Sequence, residues 1–100
     1  MAYAESLLAL ADPTRRAVFE RLRAGPASVQ MIADGLPVSR PAVSQHLKAL
    51  REAGLVHFEA QGTARIYRIH APALRELRDW IDGFWDEALE NFKAYAEQQT

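Results

Sequence analysis

Apolar positions recur along this chain with two periods, and the change between them divides it. Up to residue 54 they fall at three- and four-residue spacings, as on amphipathic helices. Tyr3, Leu7 and Leu10, widened by Leu8, predict a short helix over 3–10 whose apolar side needs cover from the domain core or a partner subunit. Asp12 followed by Pro13 is a helix start, an acidic N-cap before proline in the first turn. That helix runs to about residue 23, stops near Gly25 and Pro26, and packs through Ala17, Val18, Phe19 and Leu22. Ser28 opens a third, short helix that ends at Gly35 and directs Met31 and Ile32 to the core. After a tight connection over 36–38, Ser39 caps a fourth helix, with Pro41 in its first turn and Gly54 at its end in the left-handed conformation. Val43, Leu47 and Leu50 form its buried stripe.

From residue 55 the period becomes two. Segments 55–59 and 64–69 alternate, four residues including Gly62 separate them, and a β-hairpin follows with Tyr67 and Ile69 turned inward. Pro72 then starts a last helix to about residue 97, with Ala71 a poor cap. Its stripe of Leu74, Leu77, Ile81, Phe84, Ala88, Phe92 and Tyr95 is broadened by Trp80, Trp85 and Leu89.

The expected fold is mainly α with a small β-hairpin: a winged helix-turn-helix of five helices and a two-stranded wing, forming one domain over 1–100. Residues 28–54 make the helix-turn-helix and 55–70 the wing. The last helix is apolar over too wide an arc for a small head to cover, so 1–11 and 72–97 are expected to dimerise. Tyr3, Leu7, Leu77, Ile81, Phe84, Trp85, Ala88 and Phe92 would form that interface. A homodimer so built would set two copies of the fourth helix about 34 Å apart, one turn of B-DNA.

The formal net charge of −1 hides a strong division. Residues 13–68 carry nine basic and four acidic side chains, whereas the segments before and after are both net acidic. A basic middle between acidic ends fits a DNA-facing side with a separate face turned away. On the fourth helix the face opposite the buried stripe carries Pro41, Gln45, Lys48 and Glu52, flanked by Arg40, Ser44 and Arg51. At about 22 Å, this helix can lie in a major groove and present its first half to base edges. The hairpin tip around Gln61, Gly62, Thr63 and Arg65 can reach the sugar-phosphate backbone or the minor groove. Arg15, Arg16 and Arg23 are candidates for phosphate contact or plain solvation. His46, about 60° from the centre of the buried stripe, is either a base reader or a half-buried histidine bonded to backbone.

Other chemistry finds little support. There is no cysteine, which excludes disulfides, cysteine metal sites and thiol sensing. His46, His57 and His70 are scattered without a paired nucleophile or a ligand cluster, and no glycine-rich phosphate loop occurs, so neither an enzyme nor a cofactor is expected. No apolar run is long enough for a membrane span and no secretory signal is visible, which together predict a cytoplasmic protein. A winged-helix module that docks a protein through the same polar helix is the alternative to DNA binding, and the basic middle argues against it.

Three segments carry a family resemblance. LADPTRRAVFERL (10–22), SRPAVSQHLKALREAGLV (39–56) and GTARIYRI (62–69) are similar to the opening helix, recognition helix and wing of the ArsR/SmtB family of bacterial winged-helix repressors. The resemblance implies a dimeric repressor that occupies an operator overlapping a promoter, with double-stranded DNA as its partner. By position, Ser44, Gln45 and His46 would meet bases or nearby phosphates, with Arg40 and Lys48 beside them. Gln45 suits a bidentate pair with adenine and Arg40 one with guanine. The chain departs from the metal-sensing members: SVQMIAD (28–34) lacks their cysteine pair, and the last helix holds Asp79, Asp82, Asp86, Glu87 and Glu90 but no histidine. Zinc favours His or Cys, so no metal site is expected there. The pattern is closest to the autorepressor branch, with release by another protein or an unidentified small molecule.

Overall fold

A computed structural model describes residues 2–99. Helix α1 (Ala2–Ala11) leads into α2 (Pro13–Arg21), which tightens into a 3-10 turn over Leu22–Ala24. Then come α3 (Val29–Asp34), α4 (Arg40–Glu52), strands β1 (Val56–Gln61) and β2 (Ala64–Ile69), and the 28-residue α5 (Ala71–Gln98). Five α-helices and one antiparallel hairpin make a winged helix-turn-helix.

Local chemistry sets the helix starts. The side chains of Asp12, Ser28 and Ser39 each accept a hydrogen bond from the backbone N–H three residues on, at 2.9, 3.2 and 3.3 Å. Each satisfies a donor that the first turn leaves without an intrahelical partner. The bond from the Arg15 N–H to Asp12, aided by that from Thr14, holds the Asp12 carboxyl below its usual range. Helix α4 stops in a Schellman motif, with the Leu55 N–H donating to the Leu50 carbonyl and the Gly54 N–H to that of Arg51, both at 2.9 Å. The motif requires a left-handed residue, and Gly54 supplies it at φ +80°.

The core lies between α2, α3, α4 and the inner face of the hairpin. Val18, Ile32, Val43, Leu47, Leu50 and Leu55 are fully buried, joined by Phe19, Leu22, Ala27, Val56, Tyr67 and Leu77. Tyr67 exchanges two backbone hydrogen bonds with Ala27, at 2.8 and 3.0 Å. They fasten the wing to the loop before α3.

Several boundaries and one core assignment differ from the sequence reading. Met31 is 49% exposed. Helix α3 has only six residues, so Ile32 fills its inward position and Met31, about 100° away, points out. The hairpin turn has two residues instead of four: Gln61 pairs with Ala64, leaving Gly62 and Thr63 between them. Only Gly62 of this turn has positive φ, at +60°, which suits a type II′ turn whose twist matches the strands. Leu55 belongs to the α4 terminator instead of the strand, because its N–H is needed there. Helix α5 starts at Ala71, with His70 at the cap position making no side-chain cap bond.

Helix α5 extends away from the head, and the molecule measures 65 × 25 × 22 Å. Its first half docks on α1, where Tyr3 stacks on Trp80 at 5.3 Å and Trp80 meets Phe84 edge-on at 4.9 Å. Leu77 lies in the protomer's own core. Ile81, Phe84, Trp85, Leu89, Phe92 and Tyr95 remain exposed on α5, as do Leu7 and Leu8 on α1.

Candidate nucleic-acid interface

The burial of Val43, Leu47 and Leu50 fixes the rotation of α4 about its axis. Arg40, Pro41, Ser44, Gln45, Lys48, Arg51 and Glu52 are therefore exposed. With 13 residues the helix is about 20 Å long. Beside it the inner face of the hairpin carries Val56, Phe58 and Ala60 opposite Ile69, Tyr67 and Arg65. The sheet alternation thus aims Arg65 towards α4, on the side away from Arg68.

Between α4 and the wing runs an open groove of about 620 Å³. Arg40, Ser44, Lys48 and Arg51 line it from α4, Thr63, Ala64, Arg65 and Tyr67 from the wing, and Ser28, Val29 and Gln30 from the start of α3. Four cationic side chains face this space, with no carboxylate in its lining. The guanidinium carbons of Arg65 and Arg51, two of these lining residues, lie 4.5 and 5.2 Å from the centre of the Phe58 ring.

The other candidates are distributed around this groove. Pro41 and Gln45 are exposed on α4 outside its lining, and Gln61 and Gly62 are exposed at the hairpin end. His46 is half-buried in a separate cleft, among Pro13, Thr14, Ala17 and the turn at 36–38. That cleft faces α2, so His46 is on a different side of α4 from Arg40, Ser44 and Lys48. Arg15 and Arg16 serve the end of α1: their Nη1 atoms donate to the carbonyls of Ala9 and Leu10, at 3.5 and 3.1 Å. The Arg15 side chain lines a cleft with Glu5 and Glu52, apart from the groove. On the outer wing face Arg68 is 3.6 Å from Glu59.

Sequence reasoning missed Ser28, Gln30 and Phe58. The first two were legible in principle, because the first helix of a helix-turn-helix crosses the DNA backbone and polar residues at its start border the groove. No local pattern marks Phe58, whose ring contacts come from arginines of two other elements. Among the described residues, no three His, Cys, Asp or Glu side chains are grouped so as to hold a metal ion. No helix among them is long and apolar enough to cross a membrane.

Comparison with known proteins points the same way. Residues 10–57 match the helix-turn-helix domain family. The HTH-type transcriptional regulator Rv2034 of Mycobacterium tuberculosis is 52% identical, over 84% of this chain and 78% of its own length. The transcriptional repressor SdpR of Bacillus subtilis is 29% identical over 76% of this chain and 84% of its own. Among solved structures, the homodimeric winged helix-turn-helix DNA-binding domain Mb0332 of Mycobacterium bovis, a candidate ArsR-family regulator, superposes with a TM-score of 0.70. It is 30% identical and covers 90% of this chain and 83% of that one.

Proposed function

This chain belongs to the ArsR/SmtB family of winged helix-turn-helix transcriptional regulators, and from that premise we propose that it is a homodimeric repressor of a palindromic operator. The observation that carries this reading is the groove between α4 and the wing, where Arg40, Lys48, Arg51 and Arg65 converge without an acidic side chain. Such a surface attracts the phosphate backbone and releases its counterions. Helix α4 enters the major groove; Arg40, Ser44 and Gln45 meet base edges, Lys48 and Arg51 serve phosphates, and the wing holds register through Thr63 and Arg65.

The dimer forms through the exposed apolar faces of α1 and α5, centred on Leu7, Ile81, Phe84, Trp85, Ala88 and Phe92. Scattered single apolar residues are ordinary on a surface, but a file of large ones along one helix marks an interface. Tyr3 and Leu77 contribute indirectly, by holding α1 and α5 against the head. Regulation acts in the cytoplasm by occupancy and not by catalysis, and an unidentified small molecule or protein releases the repressor.

Selection of bound duplexes from a random pool tests this. The expected product is a palindrome with half-sites about one helical turn apart. A pool that yields no enrichment, from a protein showing no salt-dependent binding to any duplex, refutes it.

A further inference from the structure

We propose that Phe58 is a positioning residue for DNA binding: its ring holds Arg51 and Arg65 together as a paired guanidinium clamp for the phosphate backbone where it passes from α4 to the wing. This rests on the DNA-binding reading above. The two arginines come from different elements, the last turn of α4 and the start of β2, and nothing in either element requires them to meet. They meet over one phenyl ring, at 5.2 and 4.5 Å. Phe58 is itself fixed, half-buried against the core and tilted on Tyr67 with 5.4 Å between ring centres. Tyr67 is in turn tied to Ala27 through the backbone.

A ring face attracts a guanidinium through its quadrupole. The two guanidinium groups so held gather positive charge on one patch. The phosphates of the DNA backbone suit it, since each arginine can form paired N–H···O bonds with phosphate oxygens. No carboxylate lines the groove to pair with them in the free protein. Both arginines are exposed, so without the ring each would lose rotamer freedom on meeting DNA. With it, part of that ordering is already present before binding.

The test is a double-mutant cycle read by fluorescence anisotropy on duplex DNA, with circular dichroism to establish folding. Phe58→Leu is expected to weaken binding about five-fold in the otherwise unchanged protein, because the two arginines then lose on binding the rotamer freedom that the ring had already restricted. It should do so negligibly in the Arg51→Ala/Arg65→Ala background, and Phe58→Tyr should bind like the unsubstituted chain. An equal loss in both backgrounds would assign Phe58 a merely structural role and overturn the clamp, as would no loss in either. If Phe58→Leu does not fold, Arg51→Lys/Arg65→Lys replaces it. That variant keeps both charges and loses the planar stacking forks, so affinity should fall about three-fold; undiminished affinity overturns the proposal. If the unsubstituted protein binds no duplex at all, the DNA-binding reading falls and the clamp with it. The other negative outcomes remove the clamp alone.

Discussion

Lys48→Gln separates backbone affinity from base reading. Lys48 is exposed near the middle of α4 and lines the groove with Arg51 and Arg65. If these three each neutralise one phosphate, a homodimer makes six such contacts. Each contact contributes about −0.9 to the slope of log affinity against log salt, so the expected slope is about −5. Raising salt from about 50 to about 200 mM should then lower affinity roughly a thousand-fold. Lys48→Gln removes one contact per protomer. The slope should shrink by about 2, and the same rise in salt should lower affinity by only about a hundred-fold. The side chain points away from the core, so folding should be unaffected. Anisotropy titrations at four salt concentrations, on a random duplex and on a selected operator, measure both slopes. The reasoning predicts the same change on both duplexes. An unchanged slope would remove Lys48 from the backbone contacts, and a loss confined to the operator would make it a base reader.

Gln45→Ala should do the opposite, weakening operator binding by about 1–3 kcal/mol while random duplex is unaffected; equal losses on both would exclude base contact. Leu47→Ala, at a fully buried site, should lower stability by about 2–5 kcal/mol in urea unfolding. A loss below 1 kcal/mol (the scale of a surface change) would contradict the packing described. Trp85→Asp on the exposed face of α5 should give a monomer in light scattering, and an unchanged mass would place the interface elsewhere. Asp12 titrates below its ordinary value of 3.8 because its carboxylate caps α2. Its contribution is complete above that value and is lost as pH falls through the lower folded one. Asp12→Asn, which caps without titrating, should therefore lose less stability than the parent chain between neutral pH and about pH 3. Parallel losses in urea unfolding at the two pH values would refute the capping account.

The local devices of this fold are written in neighbouring residues. Asp12, Ser28 and Ser39 cap helices, and Gly54 ends one, through bonds reaching no more than five residues along the chain. The stripe of Val43, Leu47 and Leu50 determined which side of α4 faces solvent, because a period of 3.6 residues leaves one rotation that buries all three. That made the polar face, and with it most of the groove lining on α4, legible from sequence. Where a side chain goes when it lies at the edge of such a stripe is a matter for the neighbouring element. His46 turns into the cleft beside α2, Arg15 and Arg16 reach back to the carbonyls ending α1, and Met31 stays outside because Ile32 fills the core position. The convergence of Arg51 and Arg65 on Phe58 joins three elements. Periodicity determined each element's buried face; only the packing of hairpin against α4 decided that these three side chains would share one patch, because their meeting depends on the orientation of whole elements and not on any local spacing.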